Sequence, residues 1–122
     1  MGVVYHANYL IWCDLARTEH LRMTGCSYRD LEARGTFLVV TEAGVRYRRP
    51  ASFDDDLVIR CWVRGVASRQ VHFGYVIERP RDAALLATAH TTLMALDANH
   101  VPIRLAQEVR DALEPVADPV RL

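Results

Sequence analysis

Between Asn8 and about Thr24 the chain carries a helix that one packing surface is not enough to cover. On a 3.6-residue period Tyr9, Trp12, Cys13, Ala16, His20 and Met23 share a face, and Leu10 and Leu21 widen it. Ile11 and Leu15 lie well round the other side, and only Asp14, Arg17, Thr18, Glu19 and Arg22 give the helix a surface character. The first two turns are apolar nearly all the way round, which predicts burial from more than one direction. The rest of the chain must wrap this helix. Gly25 comes directly after it and is placed to end it in the left-handed conformation.

The best candidate chemistry sits at the front of the helix, in Gly2-Val3-Val4-Tyr5-His6-Ala7-Asn8-Tyr9-Leu10. Asn8 is expected to cap the first turn, because its side chain can accept a backbone N–H left unpaired there. The N–H groups of Tyr5, His6 and Ala7, with the helix dipole, suit a negative oxygen. A histidine beside such a site can serve as acid, base or electrophile. The same residues also fit a plainer role, with His6 in a loop and Tyr5 in the core.

Beyond Gly25 the pattern is mostly that of a sheet. Ser27 to Arg34 is a short helix capped by Ser27 and closed by Gly35. Thr36 to Tyr47 is a strand bent near Gly44. Leu57 to Val66 alternates as a second strand, with Leu57, Ile59, Cys61 and Val63 on one face. Gln70 to Arg79 is a third, with Val71, Phe73, Tyr75 and Ile77 on one side, and Leu85 to Leu96 is a fourth, apolar enough to be central. A last helix runs from about Leu105 to Leu113, and residues 114–122 are expected to fray. Short connections favour consecutive strands as antiparallel neighbours. One helix wrapped by a curved antiparallel sheet is an α+β architecture. A sheet of four strands has open edges, so pairing with a second copy is expected.

The 122 residues fit one domain with a real core. Fifteen arginines balance fifteen carboxylates, there is no lysine, and no basic run suggests nucleic acid. Cys13, Cys26 and Cys61 have no paired spacing and read as reduced thiols of a cytoplasmic protein. No apolar run is long enough to insert in a membrane, and no signal peptide is visible. Asp54, Asp55 and Asp56 read as a solvated turn, and His72, His90 and His100 match no ligand spacing, so no metal is expected. Cys13 and His20 read as core residues.

The opening motif, then Trp12, then Ala16-Arg17-Thr18-Glu19-His20-Leu21-Arg22, resembles the signature of the hotdog-fold acyl-CoA thioesterases. That group includes 4-hydroxybenzoyl-CoA thioesterase and the thioesterases encoded beside the Tol–Pal system. Val45-Arg46-Tyr47-Arg48-Arg49-Pro50-Ala51 and Phe53-Asp54-Asp55 also resemble the family's strand and turn. The likeness covers nearly the whole chain. It implies a hotdog fold, a dimer joined edge to edge or a tetramer of two dimers, and hydrolysis of an acyl-CoA to free acid and coenzyme A without metal or cofactor. The active site would lie at the subunit interface. Tyr5 and His6 would be catalytic, His6, Ala7, Asn8 and Trp12 would hold the thioester, and Ser68, Arg69 and Arg104 would meet coenzyme A.

One part of the family pattern, Asp-x-x-Gly-x-Val-Tyr-His, is not found. Its aspartate would fall seven residues before His6, ahead of Met1, and the family's first strand would precede it too. Either the chain is a shortened version of a working enzyme, or it has lost its main carboxylate and is an impaired thioester-binding or assembly subunit. Glu19 lies roughly 20 Å along the helix from His6 at 1.5 Å per residue, too far to substitute within one subunit. A hydratase of the same fold is a further alternative, but its Asp–His motif is not visible.

Overall fold

The computed structural model describes residues 2 and 4–122. Met1, and Val3 of the opening motif, lie outside the described residues, as does everything expected ahead of Met1. The elements are α1 (Asn8–Met23), α2 (Tyr28–Ala33), β1 (Phe37–Tyr47), β2 (Val58–Val66), β3 (Gln70–Arg79), β4 (Ala84–Leu96) and α3 (Gln107–Ala112). The four strands form one antiparallel sheet in the order β1-β4-β3-β2. This is the α+β layout expected, with β4 central.

Both predicted glycine stops form. Gly25 has φ +81°, and the N–H groups of Gly25 and Cys26 donate to the carbonyls of Arg22 and Leu21. Gly35 has φ +86° and ends α2 in the same way, with Gly35 and Thr36 donating to Glu32 and Leu31. These are the paired reverse bonds of the Schellman motif, and they need a residue that tolerates positive φ. Ser27 caps α2 by accepting the Asp30 N–H at 3.1 Å.

Strands β1 and β2 are not neighbours, contrary to the expectation from connection length. β1 pairs with β4, so the chain between Tyr47 and Val58 passes from one sheet edge to the other. The crossing is held at Ala51, which is fully buried. Its N–H donates to the Tyr9 hydroxyl, and its carbonyl accepts the Val4 N–H at 2.8 Å. The irregularity in β1 falls between Val40 and Glu42, not at Gly44. Gly44 instead makes room for a neighbour, since the His90 ring from β4 lies where a Cβ would be.

The inner face of the sheet carries Val71, Phe73, Tyr75 and Ile77, all fully buried. α1 lies across this face, with Tyr9 against Tyr47 of β1 and His20 edge-on to Phe73 of β3. Only Tyr9, Cys13, Arg17 and Leu21 of α1 are buried. Leu10, Ile11 and Leu15 are 39, 54 and 65% exposed, and Met23, placed on the inner face by its spacing, is 76% exposed. A single sheet layer reaches one side of a cylinder, so one chain leaves the far apolar side of α1 uncovered.

The last residues do not hang free. The Val116 N–H donates to the Val63 carbonyl at 2.9 Å, and Asp118 accepts from the Trp62 indole and the Arg64 guanidinium. Arg48 then donates to the Arg121 carbonyl. The segment expected to fray therefore crosses the outer face of the sheet and buries Trp62 on it. No helix among the described residues is long and apolar enough to cross a membrane.

Candidate active site

The chain enters α1 through a turn that is already helical. Ala7 holds the position before the helix with φ −66° and ψ −21°, and no side chain caps it. Asn8 is inside the helix, so it is not the cap expected of it. The reason is local: the Asn8 N–H donates to the Tyr5 carbonyl and the Tyr9 N–H to the His6 carbonyl. A side-chain cap needs an extended residue at that point, and the turn removes it.

His6 is exposed and sits between two tyrosines. Its ring centroid is 4.4 Å from that of Tyr5 and 6.3 Å from that of Tyr47. The Tyr47 hydroxyl donates to the His6 carbonyl at 2.9 Å, which ties the end of β1 to the turn before α1. Tyr5 is 65% exposed, so it is no core aromatic. Val4, His6, Tyr9, Tyr47, Arg49 and Pro50 line a shallow cavity of about 260 Å³ here, with Arg48 at its edge. Trp12 packs against Tyr9 one turn on, with ring centroids 4.9 Å apart, and is half-buried. Ala7 and Asn8 are half-buried behind the turn. Tyr47, Arg48, Arg49 and Pro50 are the residues of this site that sequence reasoning did not place there. Their signal is the aromatic–arginine–proline end of β1, which by itself reads only as a connection.

The second cluster also assembles. The Leu105 N–H donates to the Ser68 carbonyl at 2.8 Å, which brings Arg104 beside the Ser68–Arg69 turn. The Arg69 carbonyl accepts the Ala95 N–H. Ser68, Arg69 and Arg104 are all exposed. Within one chain, however, the clusters lie at opposite ends of the sheet. Tyr47, beside His6, is opposite Ala87 on β4, whereas Gln70, beside Arg69, is opposite Met94. Seven residues of β4 separate those positions, about 23 Å at 3.3 Å per residue.

Other groups are not poised for chemistry. Burial pushes the thiols of Cys13 and Cys61 up to about 12, so neither is a nucleophile near neutral pH. Burial also lowers the pKa of His20 beneath its ordinary value. Glu19 is held by Arg22 on the exposed side of α1. No cluster of three metal-ligating side chains occurs among the described residues.

Residues 1–113 match the family model of the Thioesterase-like superfamily. The chain belongs to that superfamily. The acyl-CoA thioester hydrolase YbgC of Escherichia coli is 33% identical over 96 residues, which are 79% of this chain and 71% of YbgC. The Bacillus subtilis protein YneP is 32% identical over 80 residues, or 66% of this chain. The chain spans only 58% of the length of YneP. The crystal structure of the DHNA-CoA thioesterase of Staphylococcus aureus superposes with a TM-score of 0.80 at 30% identity, over 86% of this chain and 70% of that one. The thioesterase-like chain thus has the hotdog arrangement, a sheet curved against one long helix.

Proposed function

We propose that this protein is an acyl-CoA thioesterase whose site is completed by two copies of the chain. The observation that carries the reading is the separation of the His6 cluster from the Ser68–Arg69–Arg104 cluster along one sheet. β1 is an edge strand, and Val39, Val40 and Tyr47 on it are exposed. A two-fold axis that pairs β1 with its copy antiparallel sets the Tyr47 end of one strand against the Phe37 end of the other. That places His6 of one copy beside the basic turn of its partner. The same pairing brings a second body of apolar surface to the uncovered side of α1.

In this reading the thioester carbonyl points at the turn that opens α1, where the helix dipole favours the developing oxyanion. His6 takes a proton from the attacking water. Arg69 and Arg104, with Ser68, meet the phosphates of coenzyme A. Products are the free acid and coenzyme A. The unpaired cysteines support a reducing compartment such as the cytoplasm.

The test is release of coenzyme A from a panel of short, branched and aromatic acyl-CoAs, with His6→Ala as the control. The expected loss in kcat for the control is about 100-fold or more. Acyl-CoA binding with no release would favour a thioester-binding subunit and overturn the hydrolytic reading.

A further inference from the structure

A hollow larger than the one beside His6 is found elsewhere on the sheet. It lies on the outer face of the sheet, on the side away from α1, with a volume of about 610 Å³. That is within the size range of small-molecule sites. Its floor is a polar patch on three strands. Arg46 on β1 is the direct cross-strand partner of Thr88 on β4, and His72 on β3 is the partner of Thr92. His90, on the same face, lies two residues from each threonine.

Three features separate this patch from an ordinary solvated sheet face. Thr88 is only 1% exposed, and its hydroxyl has no hydrogen-bond partner among the described residues. A buried orphan hydroxyl costs free energy, so its place in the floor of a hollow points to a ligand as its partner. Next to it, Arg46 makes no ion pair or side-chain hydrogen bond among the described residues, although it lines the same space. Two neighbouring groups, by contrast, are committed, and a third lies near a carboxylate. His72 Nδ1 is 2.9 Å from the Thr92 hydroxyl, Arg64 is held by Asp118, and the His90 Nε2 is 3.6 Å from Glu42. The two residues without partners are thus paired across adjacent strands and line one hollow.

We infer that this hollow is a second ligand site, distinct from the thioester site, for a small molecule bearing an oxyanion, a carboxylate or a phosphate. Arg46 supplies the charge and a planar fork of donors, and Thr88 donates its hydroxyl to the same group. The imidazole of His72 borders the remainder of the molecule. The other large cluster of charge, Arg79 with Asp55 and Asp82, is paired internally and offers no comparable free donor.

The probes are inorganic phosphate and, separately, acetate and succinate, titrated into the whole chain and followed by the amide and imidazole NMR shifts. The expected result is saturable shifts confined to residues around 46, 72, 88 and 90, with one of the two oxyanion classes the tighter. Arg46→Gln and Thr88→Val should each weaken that binding by at least tenfold, while coenzyme A release stays at its wild-type rate. Both substitutions are mild: Arg46 is exposed and valine matches threonine in shape. Three results would overturn the inference: no saturable shift with any probe, equal binding by both variants, or a crystal structure in which the outer face of a second copy fills the hollow.

Discussion

Arg17 of α1 donates from Nη1 to the hydroxyl of Tyr75 on β3 at 2.9 Å, with both side chains buried. Its Nε donates to the Tyr28 hydroxyl at 2.7 Å, and its Nη2 reaches Asp14 at the rim. Tyr75 in turn shares a hydrogen bond with Thr91. Helix, second helix and sheet are joined through one cation. Replacing Arg17 with methionine keeps the apolar stem and removes three donors. The expected loss is about 2 kcal/mol, the scale of hydrogen bonds to a charged group. That corresponds to a fall in Tm of about 8 °C for a chain of this size. Tyr75→Phe should cost about half as much, and a Tm unchanged in the methionine variant would refute the role given to Arg17.

Buried thiols set an alkaline limit. The pKa values of Cys13 and Cys61 stand at about 12 in the folded chain, against 9.0 for an unperturbed thiol, because burial disfavours the thiolate. Burial raises the phenols of Tyr75 and Tyr28 too. A group whose folded pKa is raised contributes stability that is present below its unfolded pKa and lost as pH rises towards the folded one. Stability is therefore flat near pH 8 and falls between pH 9 and 12, by about 1.4 kcal/mol per pH unit for each thiol. Urea midpoints at pH 8, 9 and 10 measure this. Cys61→Ala should make the decline shallower, and a midpoint independent of pH in this window would contradict the assignment.

The outer face of the sheet is finished by its tail. A Cβ on Gly74 would stand 2.5 Å from the Trp62 ring, so Gly74 is the space in which the indole lies. Asp118 then fixes the indole N–H at 2.9 Å and Arg64 at 3.0 Å. Burial works to raise the Asp118 pKa, and the bonds from Arg64 and Trp62 overcome it and hold the carboxyl below the usual range. Gly74→Ala should lower stability by about 1–3 kcal/mol, the cost of overpacking. In a Trp12→Phe background, Asp118→Ala should shift Trp62 emission to the red as the tail lifts. Emission identical to the parent would mean that Asp118 does not hold the indole.

Much of this architecture was legible because periodicity and punctuation are local. The bounds of β3 and its inner face follow from alternation alone, and Gly25 and Gly35 end their helices as their chemistry requires. What was not legible depends on partners distant in sequence. Arg17 looks like a solvent residue on a helical projection, because nothing local announces Tyr28 and Tyr75. The length of the segment between β1 and β2 allows a hairpin, and only the buried bonds of Ala51 with Tyr9 and Val4 show that it crosses the sheet. At the candidate site, the two clusters were legible only as expectations from the opening motif and the family resemblance. Their placement at opposite ends of the sheet was not, since it depends on strand order and register.

That separation yields the sharpest test of a shared site. If His6 of one copy works with Arg69 and Arg104 of its partner, then His6→Ala alone and the Arg69→Ala/Arg104→Ala double variant alone should both be nearly inactive. Co-expressed, half of the pairs are mixed, and each mixed pair carries one site with all of its residues intact. Coenzyme A release should return to about a quarter of the wild-type rate, as two-fold symmetry requires. Val40→Arg, which puts a charge on the exposed edge of β1, should abolish that recovery and leave a monomer on gel filtration. A co-expressed mixture no more active than the mean of its parts would place the whole site within one copy and remove the need for the pair.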